Sequence, residues 1–403
     1  MGDVPTIDRP RWGRSVGLAE RRAHTFAQPL PLASGATLPA PWTIAYEIYG
    51  TLNEDRSNAI LLCHALSGDA HAAGRHSAQD PKPGWAEAFI GPGRAFDTDR
   101  YAVICSNIIG GCGGSTGPAS INPATGRPFG SQFPVLTIGD LVTAQSRLLD
   151  VLGIERLLAV AGGSLGGMQA LDWVARFPER VRGVVAMATT ARSSAQTLAL
   201  NAAGRLAITG DPDWRDGDYY DGKPPAAGLA TARRIGHISY LSPAALEAKF
   251  DRDWIEQSGP RWSHAPEFAI ESYLDYQGRS FVNRFDANSY LVITRAMDYF
   301  DLNDRAGGLV AAFRATRARF WVASWSTDWL YPPSESERIV QAAREAGRDC
   351  AYLPFASDRG HDAFLLEDEQ ITPALQAWLW ELAREHGVLE RRVPAPDPAL
   401  LRV

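Results

Sequence analysis

Leu157-Leu158-Ala159-Val160-Ala161-Gly162-Gly163-Ser164-Leu165-Gly166 is the stretch on which the fold turns. The aliphatic run at 157–160 reads as a buried strand. Small residues then carry the chain into a helix at 165–176, where Met168, Leu171, Val174 and Ala175 recur at helical spacing before Phe177-Pro178. Gly162-Gly163-Ser164-Leu165-Gly166 has the form G-x-S-x-G in this strand-to-helix context, where close backbone approach leaves a serine hydroxyl exposed at a helix start. Ser164 is therefore the candidate nucleophile. An ordinary N-cap serine is the competing reading, and the flanking strand and helix weigh against it.

Outward from this turn, β-branched or aliphatic runs at 59–63, 101–106, 181–188, 319–324 and 350–354 read as further buried parallel strands. A helical pattern at 138–152 starts after Thr137 and stops at Gly153. Strands alternating with helices predict a doubly wound α/β sheet. From residue 190 to 311 the pattern changes to helix-like segments at 228–240, 243–250 and 287–300 with no clear strand, and 211–225 reads as a loop. A helical cap at 191–311 is therefore expected, inserted between two parts of one α/β core at 1–190 and 312–403.

Of the 403 residues, 45% are hydrophobic and 21% charged, a balance that builds a globular core and excludes dominant disorder. Forty Lys and Arg against 46 Asp and Glu leave a formal charge of −6, no footprint for nucleic acid or a membrane surface. Cys63, Cys105, Cys112 and Cys350 lack CxxC spacing and residues 1–18 lack an apolar leader, so reduced thiols in a cytoplasmic protein are expected. No run approaches the ~20 apolar residues of a membrane span. Residues 1–6 fit the loose N-myristoylation pattern, but Asp3 and Pro5 suit a flexible start, which is the preferred reading.

A serine alcohol needs a base and an orienting carboxylate, in chain order Ser, Asp or Glu, His for this type of sheet. Asp328 follows the apolar run 320–323 in Ser326-Thr327-Asp328-Trp329-Leu330-Tyr331, and His361 follows 352–355 in Asp358-Arg359-Gly360-His361-Asp362. Both are placed at strand C-terminal ends, where open α/β sheets collect their reactive groups. A lone loop Asp or His is usually just solvated; three groups in the required order are what carry chemistry. His361 then takes the Ser164 proton and Asp328 holds the imidazole, while the N–H groups of Leu165 and of Leu66, in His64-Ala65-Leu66-Ser67-Gly68, are expected to stabilise an oxyanion.

His64, Asp69, His71 and His76 raise the question of a metal, but their spacing matches no compact helix pair and none is expected. The glycine-rich run 110–117 resembles a phosphate cradle without the Lys-Ser/Thr ending and is followed by Pro118; it reads as a loop bordering the pocket. Trp325, Trp329 and Tyr331 read as packing.

Taken together, Cys63 through His71, Cys105-Ser106-Asn107 through Gly117-Pro118 to Ile121-Asn122-Pro123, Gly162 through Gln169, Gly236-His237-Ile238-Ser239-Tyr240 and Gly360-His361-Asp362 make the chain resemble the MetX-type homoserine O-acyltransferases of the α/β-hydrolase superfamily. The resemblance runs from about residue 44 to 382. It implies an α/β-hydrolase fold with a helical cap and acetyl transfer from acetyl-CoA to L-homoserine through an acyl-serine, in methionine biosynthesis, with no permanently bound cofactor. It implies that Arg233 grips the acceptor's carboxylate and Asp362 its ammonium, with Arg234 as the neighbouring alternative, and that two chains pair through their caps. Succinyl-CoA as donor is the nearest rival and serine as acceptor a further one. An esterase using the same triad and a non-catalytic module of this fold are rivals of other classes.

Overall fold

A computed structural model describes residues 13–256, 259–305, 307–366 and 368–389. The pattern at residues 1–6 lies outside the described residues. The strands are β1 (Arg22–Phe26), β2 (Leu30–Pro31), β3 (Thr37–Leu38), β4 (Trp42–Tyr49), β5 (Ala59–Cys63), β6 (Ala102–Ser106), β7 (Ala159–Gly163), β8 (Gly183–Met187), β9 (Arg319–Trp325) and β10 (Cys350–Phe355). Eight form one sheet in the order β1-β4-β6-β5-β7-β8-β9-β10, and β2 pairs with β3 apart from it. From β6 to β10 every pairing is parallel.

Every residue of β5, β6, β7 and β8 is buried, which is why these strands read as continuous apolar runs. The edge strand β1 and its inner neighbour β4, which also pairs antiparallel with β6, escaped the sequence reading. In β4 buried and half-buried positions alternate, and in β1 only Phe26 is buried. One boundary moves: the strand leading to Ser164 is β7 and not 157–160, because Gly162 and Gly163 still pair with Cys63 and Met187 before the chain turns.

The helices of the first half are α1 (Ile138–Val151) and α2 (Leu165–Arg176). Thr137 and Asp140 cap α1 reciprocally, and Gly153, at φ 66°, follows its end. Between β8 and β9 come α3 (Ala195–Thr209), α4 (Ala226–Tyr240), α5 (Pro243–Phe250), α6 (Ala269–Val282), α7 (Ala287–Asp298) and α8 (Gly308–Arg314). The stretch 211–225 is not all loop: a 3₁₀ segment, Pro212–Gly217, forms where Asp211 accepts from the Asp213 N–H and Pro212 presets the first turn.

Helix α4 packs between α3 and α6, and Leu229, Ala232, Phe281, Tyr290 and Met297 join the core that continues under the sheet. The helices from α3 to α7 reach the loops beyond the strands: Trp329 Nε1 donates to Leu241 O at 3.0 Å and Arg284 Nη1 to Ser67 O at 2.9 Å. By contrast α8 packs on α9 (Pro333–Glu345) and α2, on the side of the core. The chain closes with α10 (Ala363–Leu366) and α11 (Asp368–Glu385).

Candidate active site

Strand β7 delivers Ser164 onto a turn at φ 56°, ψ −125°, a conformation a non-glycine residue adopts only where its surroundings enforce it. A Cβ on Gly162 would stand 2.4 Å from the carbonyl carbon of Gly166, and one on Gly166 would stand 2.1 Å from Cys63 O. The turn therefore closes only with glycine at both places. Its backbone is held by Ser164 N donating to Met187 O at 3.0 Å and by Thr189 Oγ1 donating to Ser164 O at 2.8 Å. The Ser164 side chain makes no capping hydrogen bond to α2, which disposes of the ordinary N-cap reading.

Asp328 lies beyond the end of β9 and is almost wholly buried. Its Oδ1 accepts from the N–H groups of Leu330 at 3.0 Å and Tyr331 at 2.9 Å, and its Oδ2 lies 2.8 Å from His361 Nδ1. His361 sits on a 3₁₀ turn beyond β10, its ring flanked by Tyr331 and Phe364 at 5.3 Å and Tyr240 at 6.0 Å between centroids. Burial pulls the imidazole pKa down, but the charges of Asp328 and Asp362 and the hydrogen bond that His361 donates to Asp328 outweigh it, so His361 holds a proton more tightly than an ordinary histidine.

Ser164, Leu66, Tyr240 and Tyr331 line one cavity of about 40 Å³, together with Thr197, Asn201, Tyr290 and Met297 from the inserted helices. Two of the rings that enclose His361 thus face Ser164 across it, and Phe364 lies against both His361 and the backbone at Gly163. Leu165 is the first residue of α2. His64 is spent on structure: its Nδ1 meets Ala65 O at 2.8 Å, its Nε2 accepts from Ile108 N at 3.2 Å, and burial lowers its pKa.

Arg233, on α4, stacks its guanidinium over Phe281 at 4.7 Å and Tyr240 at 5.6 Å. Its Nε and Nη1 are sealed from solvent without a hydrogen-bond partner. Its neighbour Arg234 instead pairs with Asp275 at 2.8 Å. Asp362 follows His361 directly; burial raises its carboxyl pKa, and the charges of His361 and Arg233 only partly reverse this. The structure thus brings His361 together with Asp328, sets Ser164 on a cavity that shares Tyr240 and Tyr331 with the surroundings of His361, and holds Arg233 within electrostatic reach of Asp362. His237 is close by but not a base: burial and the charges of Arg233, Arg284 and Lys249 push it down to about 3.

Tyr331 borders the cavity, so reading it as packing alone was incomplete; Asn201 and Tyr290 were missed, since neither carries a local motif. The glycine-rich run borders a different cavity: Cys112, Gly113 and Gly114 line one of about 490 Å³ with Glu47, Asp69 and His71. Of the residues weighed for a metal, His71 and His76 come together, and they do so around Glu47.

Comparison with known proteins places this geometry. The family described as the alpha/beta hydrolase fold matches residues 58–368. A homoserine O-acetyltransferase of Solidesulfovibrio magneticus is 52% identical over 381 residues, covering 93% of this chain and 95% of the relative. A protein of Alkalilimnicola ehrlichii named homoserine O-succinyltransferase is 50% identical over 376 residues, 93% of this chain and 98% of its own. Among solved structures, homoserine O-acetyltransferase from Bacillus anthracis superposes with a TM-score of 0.82 at 29% identity, over 94% of this chain and all of that one. Esterase E22 superposes with a TM-score of 0.83 at 31% identity, over 90% of this chain and 100% of that one.

Proposed function

The chain belongs to the homoserine O-acetyltransferases of the α/β-hydrolase fold, acyl-CoA-dependent O-acyltransferases, and from that premise we propose which residues carry the transfer and in what order. Ser164 Oγ attacks the acetyl-CoA thioester carbonyl while His361 takes its proton, and the N–H groups of Leu66 and Leu165 stabilise the oxyanion. The imidazolium returns the proton to the departing CoA thiolate, leaving acetyl on Ser164. Homoserine enters with its carboxylate on Arg233 and its ammonium on Asp362; His361 deprotonates its hydroxyl, which takes the acetyl group, and the imidazolium returns that proton to the departing Ser164 Oγ. Asp328 keeps Nδ1 protonated throughout, so that Nε2 is the nitrogen that exchanges protons. No permanently bound cofactor enters this cycle, and acetyl-CoA is a co-substrate.

The observation that carries this reading is the pair of partnerless Arg233 nitrogens near Asp362. A zwitterionic acceptor satisfies both groups at once; a simple ester or water satisfies neither. The deciding experiment follows free CoA from acetyl-CoA with and without homoserine. Release at catalytic rate only with homoserine supports transfer; equal steady release without it makes the chain a hydrolase.

Succinyl-CoA is the rival donor, favoured by the relative of that name. Its extra carboxylate wants a cation; Arg205 behind Asn201 pairs through Nη2 with Asp298 at 2.6 Å and leaves Nη1 without a partner, whereas the relative of Solidesulfovibrio magneticus and the Bacillus anthracis structure carry the acetyl name. Acetyl is therefore the preferred donor, to be checked against succinyl-CoA, and homoserine against serine, in one side-by-side assay. We assign the chain to methionine biosynthesis in the cytoplasm; among the described residues no helix is long and apolar enough to cross a membrane. Pairing of two chains through the caps is supported by exposed Leu206, Ile238 and Tyr276 on α3, α4 and α6, and light scattering at the dimer mass tests it.

A further inference from the structure

Glu47 sits on β4 with almost no exposure, yet it meets two imidazoles at the cavity that excludes Ser164. Its Oε1 lies 2.7 Å from His76 Nε2 and its Oε2 lies 3.1 Å from His71 Nδ1. One ligand atom from each of the three residues falls within 4.8 Å of the others. The carboxylate is aimed by a buried partner, since the Tyr49 hydroxyl donates to Oε2 at 2.7 Å while accepting from Ala72 N at 2.6 Å. The cavity of about 490 Å³ gives access from outside to Glu47 and His71.

Hydrogen-bond accounting leaves two competing demands on one nitrogen, His76 Nε2. Arg21 Nε–H donates to His76 Nε2 at 3.2 Å, so that nitrogen presents a lone pair. The same nitrogen faces Glu47 Oε1 at 2.7 Å, a second lone pair. If the nitrogen is protonated to serve Glu47, it opposes the Arg21 N–H instead. A cation between nitrogen and oxygen satisfies both lone pairs once the exposed Arg21 turns away. Two imidazoles and one carboxylate, with positions left for water, are a donor set for borderline first-row divalent ions, and the Tyr49 bond is the outer partner such a carboxylate usually has.

We propose that Glu47, His71 and His76 form a binding site for one divalent transition-metal ion, Zn²⁺ in the first instance, bound through the Glu47 carboxylate, His71 Nδ1 and His76 Nε2. Bonds of about 2.1 Å require the ligand atoms to spread by roughly half an ångström, and the exposed Arg21 to turn outward. The ion has a structural task. It ties β4 to the loop running from Asp69 to His76, directly after the segment that holds Leu66.

The test loads the full chain with Zn²⁺, removes free metal by gel filtration, and counts zinc by elemental analysis, with Co²⁺ absorption as a second probe and thermal unfolding with and without chelator as a third. The expected result is one ion per chain, a melting temperature raised by zinc and lowered again by chelator, and affinity reduced at least about tenfold in His71→Gln and in His76→Gln. Cys112→Ser, which removes the exposed thiol of the same cavity, should leave binding unchanged. Homoserine-dependent CoA release by His76→Gln should persist, which separates this site from the catalytic one. Failure of the wild-type chain to retain zinc, equal retention by both histidine variants, or loss of zinc only in Cys112→Ser overturns the assignment.

Discussion

The parallel sheet and the helices inserted between β8 and β9 divide the site between them. The sheet supplies Ser164, Asp328 and His361, each beyond a strand end; backbone hydrogen bonds fix Ser164 and Asp328, and Asp328 in turn holds the His361 ring. The inserted helices supply Arg233 and Tyr240, which are partly buried, and the buried Asn201. Reactivity needs sub-ångström constancy, which close-packed strands give, whereas choice of acceptor needs only complementary groups at the right spacing. On the proposed assignment, bond-making and selection rest on separate parts, and they should fail separately.

The largest effect should come from the sheet. Ser164→Ala should remove acyl-enzyme formation and lower turnover by about 10⁵-fold or more, with the melting temperature little changed, measured by intact-protein mass after acetyl-CoA and by CoA release. Substantial residual transfer would place the nucleophile elsewhere. Asp328→Asn should cost about 10⁴-fold in kcat, because the amide cannot hold the same tautomer, and both half-reactions should slow together.

Removing a helix group should break only one half. Arg233→Ala should lower kcat/KM for homoserine by roughly 10² to 10³-fold while a rapid-quench measurement of the first CoA equivalent stays close to wild type. Equal damage to both halves would erase the proposed division. The pH profile sharpens it in a different way. His361 acts as base only when neutral, and its pKa is raised, so turnover should fall on acidification from a pH above the usual histidine range. Titration of kcat checks this; an acid limb at or below that range counts against the Asp328 and Asp362 charges acting on His361. The smallest effect belongs to Arg234→Ala, which removes a partly exposed pair with Asp275 and should stay within roughly fivefold of wild type in KM for homoserine.

How much of this was legible in the sequence follows the same division. The buried strands could be read because both faces demand apolar residues, and the turn at Ser164 because glycine is the only residue that fits at two of its positions. Strands β1 and β4 were not read, since β1 buries only Phe26 and β4 mixes buried with half-buried positions instead of forming a continuous apolar run. The helix α3 was missed for a related reason, burying only Thr197, Asn201, Gly204 and Ile208. Arg233 and Arg234 are about 100° apart on one helix, so sequence alone could not choose between them; the pairing of Arg234 with Asp275 on α6 is what supports the proposal of Arg233. Glu47 has no local signal linking it to His71 and His76, because sheet register and a loop bring them together.

The excursion from α3 to α7 starts after β8 and ends before α8, which returns to the core and leads into β9. Strands β8 and β9 are adjacent and parallel, so β8, α8 and β9 would make an ordinary crossover without it. The whole selecting apparatus is thus a detour on a single connection, attached where the scaffold already had to turn. An engineer could graft another detour at the same two joints and re-address the reactive serine to a different alcohol, leaving the scaffold's strand order untouched.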